Sequence, residues 1–216
     1  MIKTAVITGH HEYDVVGLHQ FLRTLEGIDA YPQNLEDFAT DMGSPLSFYD
    51  VVVFYNYHLS TPGSTGSDLD HAIQQVLHEL ILGQTGILLL HHAIVGYQQW
   101  DMWDALAGMS NRITTGADID QHFQIDISNP PHPISYGLSP YQMVDETYVM
   151  GNAGDDNEIL LTTDFPNSMK TIAWTNQRAS GGRVFCFQSG HDAVAFSVPS
   201  FQTVLHRGIQ WLARKL

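Results

Sequence analysis

Twelve histidines outnumber the nine lysines and arginines taken together. Imidazole is the side chain best suited to move a proton near neutral pH or to ligate a first-row metal ion. The histidines are not evenly spread. Gly9-His10-His11-Glu12 follows the apolar run Ile2–Thr8, Tyr55-Asn56-Tyr57-His58 follows a run from Tyr49, and His91-His92-Ala93 follows Gly86–Leu90. Gln188-Ser189-Gly190-His191-Asp192 follows Arg183–Phe187. An acid pair, Asp145-Glu146, opens a further apolar run. Three neutral imidazoles and a carboxylate can hold Zn²⁺, Mn²⁺ or another first-row divalent ion with one position left to water. His10, His91 or His92, Glu146 and His191 are the ligands this chemistry would use. The rival use of the same groups is metal-free: His191 and Glu146 move protons as acid and base, with Asp192 orienting His191. His11, Asn56, Tyr57, His58 and Trp100 stand beside these positions and are the expected substrate contacts. Neighbouring side chains in an extended segment point to opposite sides, so one member of His10/His11 and one of His91/His92 is expected to face a shared crevice.

Such a crevice needs elements to build it. Ile2–Thr8, Ile28–Tyr31, Tyr49–Tyr55 and Gly86–Leu90 read as near-continuous apolar strands, the character of parallel strands covered on both faces. Between them, Val15, Leu18, Leu22 and Leu25 recur at helical spacing, as do Leu69, Ile73, Val76, Leu77 and Leu80, the second set behind a Ser67-x-x-Asp70 capping signal. Pro32 is expected to stop the second strand. The later half reads as short strands at Ile119–Ile127, Glu146–Met150, Ile159–Thr163, Thr171–Thr175 and Arg183–Phe187. Ser180-Gly181-Gly182 makes a hairpin of the last pair, and a terminal helix carries Phe201, Leu205, Ile209 and Leu212. Pro130-Pro131-His132-Pro133-Ile134 is an ordered loop. The expectation is an α/β chain, a flavodoxin-like doubly wound and mainly parallel sheet with added antiparallel strands in the C-terminal half, in one domain over residues 1–216. In such a sheet ligands bind at the carboxyl ends of the strands, and those ends are where the histidines lie.

Composition removes several alternatives. A hydrophobic content of 44% with 15% charged residues excludes global disorder. A formal charge of −14 without a Lys/Arg cluster argues against nucleic acid and anionic membrane surfaces as partners. No apolar run is long enough to span a bilayer and none starts the chain as a secretory signal, so a cytoplasmic protein is expected. Neither a Gly-x-Gly-x-x-Gly nor a Lys-containing phosphate loop occurs, and no nucleotide is expected; a Gly-x-Ser-x-Gly elbow is also absent. The single cysteine, Cys186, sits in Val184-Phe185-Cys186-Phe187 and reads as a core thiol.

Taken in order, Gly86–Leu90 into His91-His92-Ala93, Trp100, Leu106-Ala107-Gly108, His132-Pro133-Ile134, Gly137-Leu138, Asp145-Glu146-x-Tyr148, Ala173-Trp174, Gly182-Arg183-Val184-Phe185 and Gly190-His191-Asp192 resemble the ThuA-like (trehalose utilisation) family. The resemblance implies a class I glutamine amidotransferase-like fold, in which a cysteine nucleophile would occupy the turn after a central strand. Here that turn carries His91, and Cys186 precedes His191 within one strand, so hydrolysis of glutamine through a thioester is disfavoured. The resemblance further implies carbohydrate metabolism and a small neutral sugar or oxidised sugar derivative as ligand, with hydrolysis or isomerisation as reactions. A catalytically silent sugar-binding or regulatory module on the same fold is the alternative, and association with a second copy of the chain stays open.

Overall fold

Isolated apolar runs become strands here because each is buried on both faces. In β1 (Ile2–Thr8) only Lys3 is exposed. The first half continues through α1 (Val15–Leu22), β2 (Ile28–Asn34), α2 (Leu35–Thr40), α3 (Pro45–Phe48), β3 (Val51–Phe54), α4 (Asp68–Leu82) and β4 (Gly86–Leu90). A 3-10 turn (His91–Val95) then leads to α5 (Asp101–Ala107). The second half holds β5 (Gly116–Ile127), β6 (Tyr141–Val149), β7 (Glu158–Thr162), β8 (Thr171–Gln177), β9 (Arg183–Phe187), α6 (Ala193–Phe196) and α7 (Pro199–Leu212). This computed structural model describes residues 1–128 and 132–216. Pro130 and Pro131 of the expected proline-rich loop therefore lie outside the described residues.

The nine strands of the described residues form one mixed sheet in the order β2-β1-β3-β4-β9-β8-β7-β5-β6. The first five in that order run parallel, and β9 through β6 pair antiparallel. Side-chain alternation sorts the parallel strands into two layers. Val51, Val53, Leu88 and Leu90 pack with Leu18 of α1, Phe196 of α6 and Phe201 of α7. Val52, Phe54, Ile87 and Leu89 pack with Phe38 of α2, Leu77 of α4 and Trp103 of α5.

Several local readings shift. β2 runs through Pro32 to Asn34, because it is the outermost strand and a proline can stand where no further strand needs its N–H. Ser67 caps α4 by accepting from the Asp70 N–H at 3.2 Å, but Asp70 does not return the bond as a capping box would. Its carboxylate accepts instead from Gly63 N, Thr65 N and the Thr65 hydroxyl, which ties down the loop before the helix. Leu69, expected on the buried face of α4, is 42% exposed. The strand expected from Glu146 begins at Tyr141 and pairs with β5 across a bulge between Asp118 and Gln121. The β5–β6 ribbon joins the rest of the sheet through a short ladder, Asp126 and Ile127 against Thr162 and Leu161. It brings Asp145–Tyr148 back to the carboxyl ends of β4 and β9, where Gln188 Nε2 donates to Glu146 O at 2.7 Å.

Candidate functional site

β4 delivers the chain to Leu90, and His91 then takes a left-handed conformation with φ +54°. This conformation is costly for a residue with a side chain and is held by the turn around it. It changes the outcome for the histidine pair. The alternation rule assumed extended backbone, whereas the 3-10 turn places His91 and His92 in the same cluster, ring centroids 4.2 Å apart. His91 Nδ1–H donates to Gln188 O at 2.8 Å, which fixes its tautomer and leaves a lone pair on Nε2.

Glu146 meets that lone pair. Its Oε2 stands 3.0 Å from His91 Nε2, 3.3 Å from His191 Nδ1 and 3.8 Å from His92 Nε2. His191 Nδ1 is in turn 3.2 Å from His91 Nε2. The Tyr148 hydroxyl donates to Glu146 Oε2 at 3.1 Å and lies 2.7 Å from His92 Nδ1. A relay in which His92 Nδ1–H donates to Tyr148 and Tyr148 donates to Glu146 gives each group a partner and leaves the His92 Nε2 lone pair free. Burial falls outward through the cluster: the His91 side chain is inaccessible, while His191 keeps 31% exposure. His191 is thus the member that an entering molecule meets.

Asp145 aims the loop that carries His191. Its carboxylate accepts from three backbone N–H groups, those of Gly190 at 2.7 Å, His191 at 2.9 Å and Glu146 at 2.9 Å. Burial pushes the Asp145 carboxyl above its usual range, opposed by His91 and these donors. From the other side the Tyr55 hydroxyl contacts the Gly190 and His191 carbonyls, both at 2.9 Å. For Glu146, burial alone would raise the pKa. The hydrogen bond from His191, joined by one from His91 when a proton occupies its Nε2, outweighs burial and holds the carboxyl well below the usual range. His191 is raised chiefly by its bond to Glu146, and His92 is pushed down to about 2 by burial and then by His91. Burial likewise pushes the Tyr148 hydroxyl far up, so it acts as a donor.

A lone pair facing a carboxylate at 3.0 Å calls for a positive charge between them, either a proton or a metal ion. One donor atom each from His91, His92, Glu146 and His191 lies within 4.8 Å of the others. Bonds of about 2.0–2.1 Å to a tetrahedral Zn²⁺ set donor atoms about 3.3 Å apart. The separations of 3.0, 3.2 and 3.3 Å among His91, Glu146 and His191 fit that spacing, and His92 sits wider.

The other expected site residues are distributed as follows. His10, expected among the metal ligands, is not in this cluster. It has a left-handed φ of +62° and stacks on His58 at 3.7 Å, with Glu36 beside both rings. His11 stands edge-on to His92 at 4.6 Å, its ring nitrogens 2.7 Å from Tyr55 O and 2.8 Å from Glu12 O. Tyr57 stacks on His92 at 5.3 Å, whereas the Asn56 amide is used on His58. Trp100, expected to touch substrate, packs in the core against His78, Tyr97 and Trp103, because the helix face it shares with Trp103 turns inward. Asp192, expected to orient His191, caps α6 by accepting from Val194 N at 2.9 Å and Ala195 N at 3.2 Å. Cys186 is wholly buried, and burial pushes its thiol up. Asp145, Tyr148 and Gln188 stand in the sequence motifs without an assigned role, and Glu36 stands in none of them. Tyr148 had a usable signal, since residues two apart on a strand share a face with Glu146.

A ThuA-like protein from Bacteroides uniformis superposes with a TM-score of 0.72 at 15% identity, over 98% of this chain and 91% of its own. A glutamine amidotransferase from Thermotoga maritima gives 0.62 at 8% identity over 98% of both chains. A β-galactosidase from Bacillus circulans sp. alkalophilus gives 0.62 at 13% identity, over 97% of this chain and 31% of that one. At such identities these likenesses are of fold, an α/β architecture shared with amidotransferase-like proteins. No curated protein matches the sequence significantly. The family pattern described as trehalose utilisation matches residues 5–212, nearly the whole chain, and the protein therefore belongs to the ThuA family.

Proposed function

We propose that the His91–His92–Glu146–His191 cluster is the reactive centre of an enzyme acting on a sugar or an oxidised sugar derivative, by metal-assisted hydrolysis or isomerisation. The observation that carries this reading is the His91 Nε2 lone pair held 3.0 Å from the Glu146 carboxylate, with His191 completing the set. His91 is fixed by Gln188, Glu146 by Tyr148 and His191 by the Asp145-anchored loop, so the donors are positioned before any ligand arrives. The sugar class comes from the trehalose utilisation family, and the low density of basic side chains suits a neutral substrate. His91, Glu146 and His191 would hold a divalent ion, which when bound supplies a Lewis acid for a carbonyl or activates a water. In the metal-free use of the same groups His191, raised by its bond to Glu146 and the most exposed of the four, exchanges a proton with the substrate. The Glu146–Tyr148–His92 relay balances the charge behind it.

The test is metal analysis of the purified protein followed by ¹H NMR of trehalose-type disaccharides and their oxidised derivatives, incubated with wild type and Glu146→Gln. We expect a divalent ion at the cluster and one substrate consumed by the wild type, at least about a hundredfold more slowly by the variant, the scale of a lost charged group at a reacting centre. Turnover unchanged in Glu146→Gln, or full activity of a metal-free preparation, overturns the metal-assisted reading. Sugar binding without turnover in either form establishes the silent module instead.

A further inference from the structure

A second set of metal-type donors lies apart from the Glu146 cluster. His10 at the end of β1, Glu36 in the first turn of α2 and His58 four residues beyond β3 bring one donor atom each to within 4.8 Å of one another. His10 Nε2 is 3.5 Å and His58 Nε2 3.8 Å from the same oxygen, Glu36 Oε1. His58 Nε2 is buried and has no hydrogen-bond partner among the described residues. Two more orphans stand beside it. Asn56 Oδ1 and the Tyr97 hydroxyl are buried without partners among the described residues, each in a residue only 1% exposed.

The Asn56 amide sets the tautomer of His58. The Asn56 amide lies 2.7 Å from His58 Nδ1, and the nitrogen and oxygen of an amide are told apart by their partners alone. With the oxygen turned onto Nδ1, His58 donates Nδ1–H to it. This is the arrangement in which a neighbouring acceptor fixes a metal-binding histidine, and it leaves the His58 Nε2 lone pair facing the Glu36 carboxylate. A cation between them removes that repulsion. A cavity of about 380 Å³, bordered by His10, Glu36, Tyr57, His58 and Tyr97, gives an ion and its water access.

We propose that His10, Glu36 and His58 form a second divalent-cation site, for an ion of the Zn²⁺ class that accepts two imidazoles and a carboxylate. Three protein donors leave a tetrahedral ion one position for water or for a hydroxyl of a molecule in the cavity. The site does not depend on the chemistry assigned to Glu146, and the experiment keeps the two apart. Chelator-treated full-length protein and its Glu146→Gln variant are titrated with Zn²⁺. Imidazole ¹⁵N–¹H spectra report on each ring, and equilibrium dialysis counts bound zinc. The expected result is that the His10 and His58 resonances shift in both proteins, and that Glu146→Gln still binds one zinc per chain. Glu36→Gln, and separately His10→Gln at a half-exposed position that leaves the core untouched, should each weaken this binding at least about tenfold. Rings of His10 and His58 that stay unmoved with zinc in excess, or zinc binding by Glu146→Gln that neither substitution weakens, overturn the proposal. Zinc bound only at His91 and His191 does so too, while leaving the first site standing.

Discussion

Glu146 Oε2 is the point on which the first site turns, since three imidazoles and one hydroxyl address that single oxygen. Of these partners Tyr148 is the one whose removal changes least else. Tyr148→Phe keeps the ring stacked on His91 at 5.3 Å and deletes the hydroxyl that supports a buried carboxylate. We expect this variant to fold with unchanged far-UV circular dichroism and to lose about 1–3 kcal/mol in urea unfolding, the cost of withdrawing a hydrogen bond from a buried charged group. Stability equal to wild type would show that the hydroxyl does not support Glu146. The same residues show what a sequence can and cannot reveal about a site. Histidines at strand ends were legible, because an open α/β sheet has one face where such ends converge. That His91 and His92 would join one cluster was not, since a single left-handed residue breaks the alternation from which their opposition was inferred. The placement of His10 with Glu36 required α2, a six-residue helix whose capping bond, Asn34 Oδ1 accepting from Asp37 N at 2.8 Å, gives too short a pattern for helical periodicity.

Among the elements, the strands of the parallel half were readable because burial on both faces writes an unbroken apolar run, and β1 and β9 have the limits read from sequence. The path of the β5–β6 ribbon was not readable. Its direction depends on the bulge near Asp120, a residue with φ +57°, and on pairings between residues far apart in the chain. Helix α7 supplies a sharper test of how closely the layers fit. A Cβ built on Gly208 would come within 2.5 Å of Phe185 Cδ1 on β9, and both residues are buried. Gly208→Ala should therefore destabilise the protein by about 1–3 kcal/mol despite the better helix propensity of alanine, because overpacking at a rigid aromatic ring outweighs it. Thermal unfolding decides this. A melting temperature at or above wild type would mean that the helix sits farther from the sheet than described.

For the molecule as a whole, acid is the condition to which this histidine-rich chain should respond. His132 is buried against Trp211 and accepts the Ile134 N–H at Nδ1, and burial lowers its pKa from 6.5. The folded form therefore holds fewer protons at this residue than the unfolded chain once the pH drops below 6.5. Its contribution is complete above that value and is lost as the pH falls toward the lowered folded-state pKa. His132→Asn, which keeps an acceptor for Ile134 and removes the titration, should flatten the decline of melting temperature below pH 6.5, and an unaltered slope would assign that decline elsewhere. The short ladder at Asp126 and Ile127 has a further consequence for the whole fold. It makes the ribbon bearing Glu146 a flap joined to the sheet by few backbone bonds and held otherwise by Phe123, Ile125 and Met143 in the core and by Asp145 and Gln188 at its far end. Peeling that flap would dismantle the reactive centre while the parallel layers stay intact, so anything seated between the two should slow deuterium uptake along the flap before it raises the melting point.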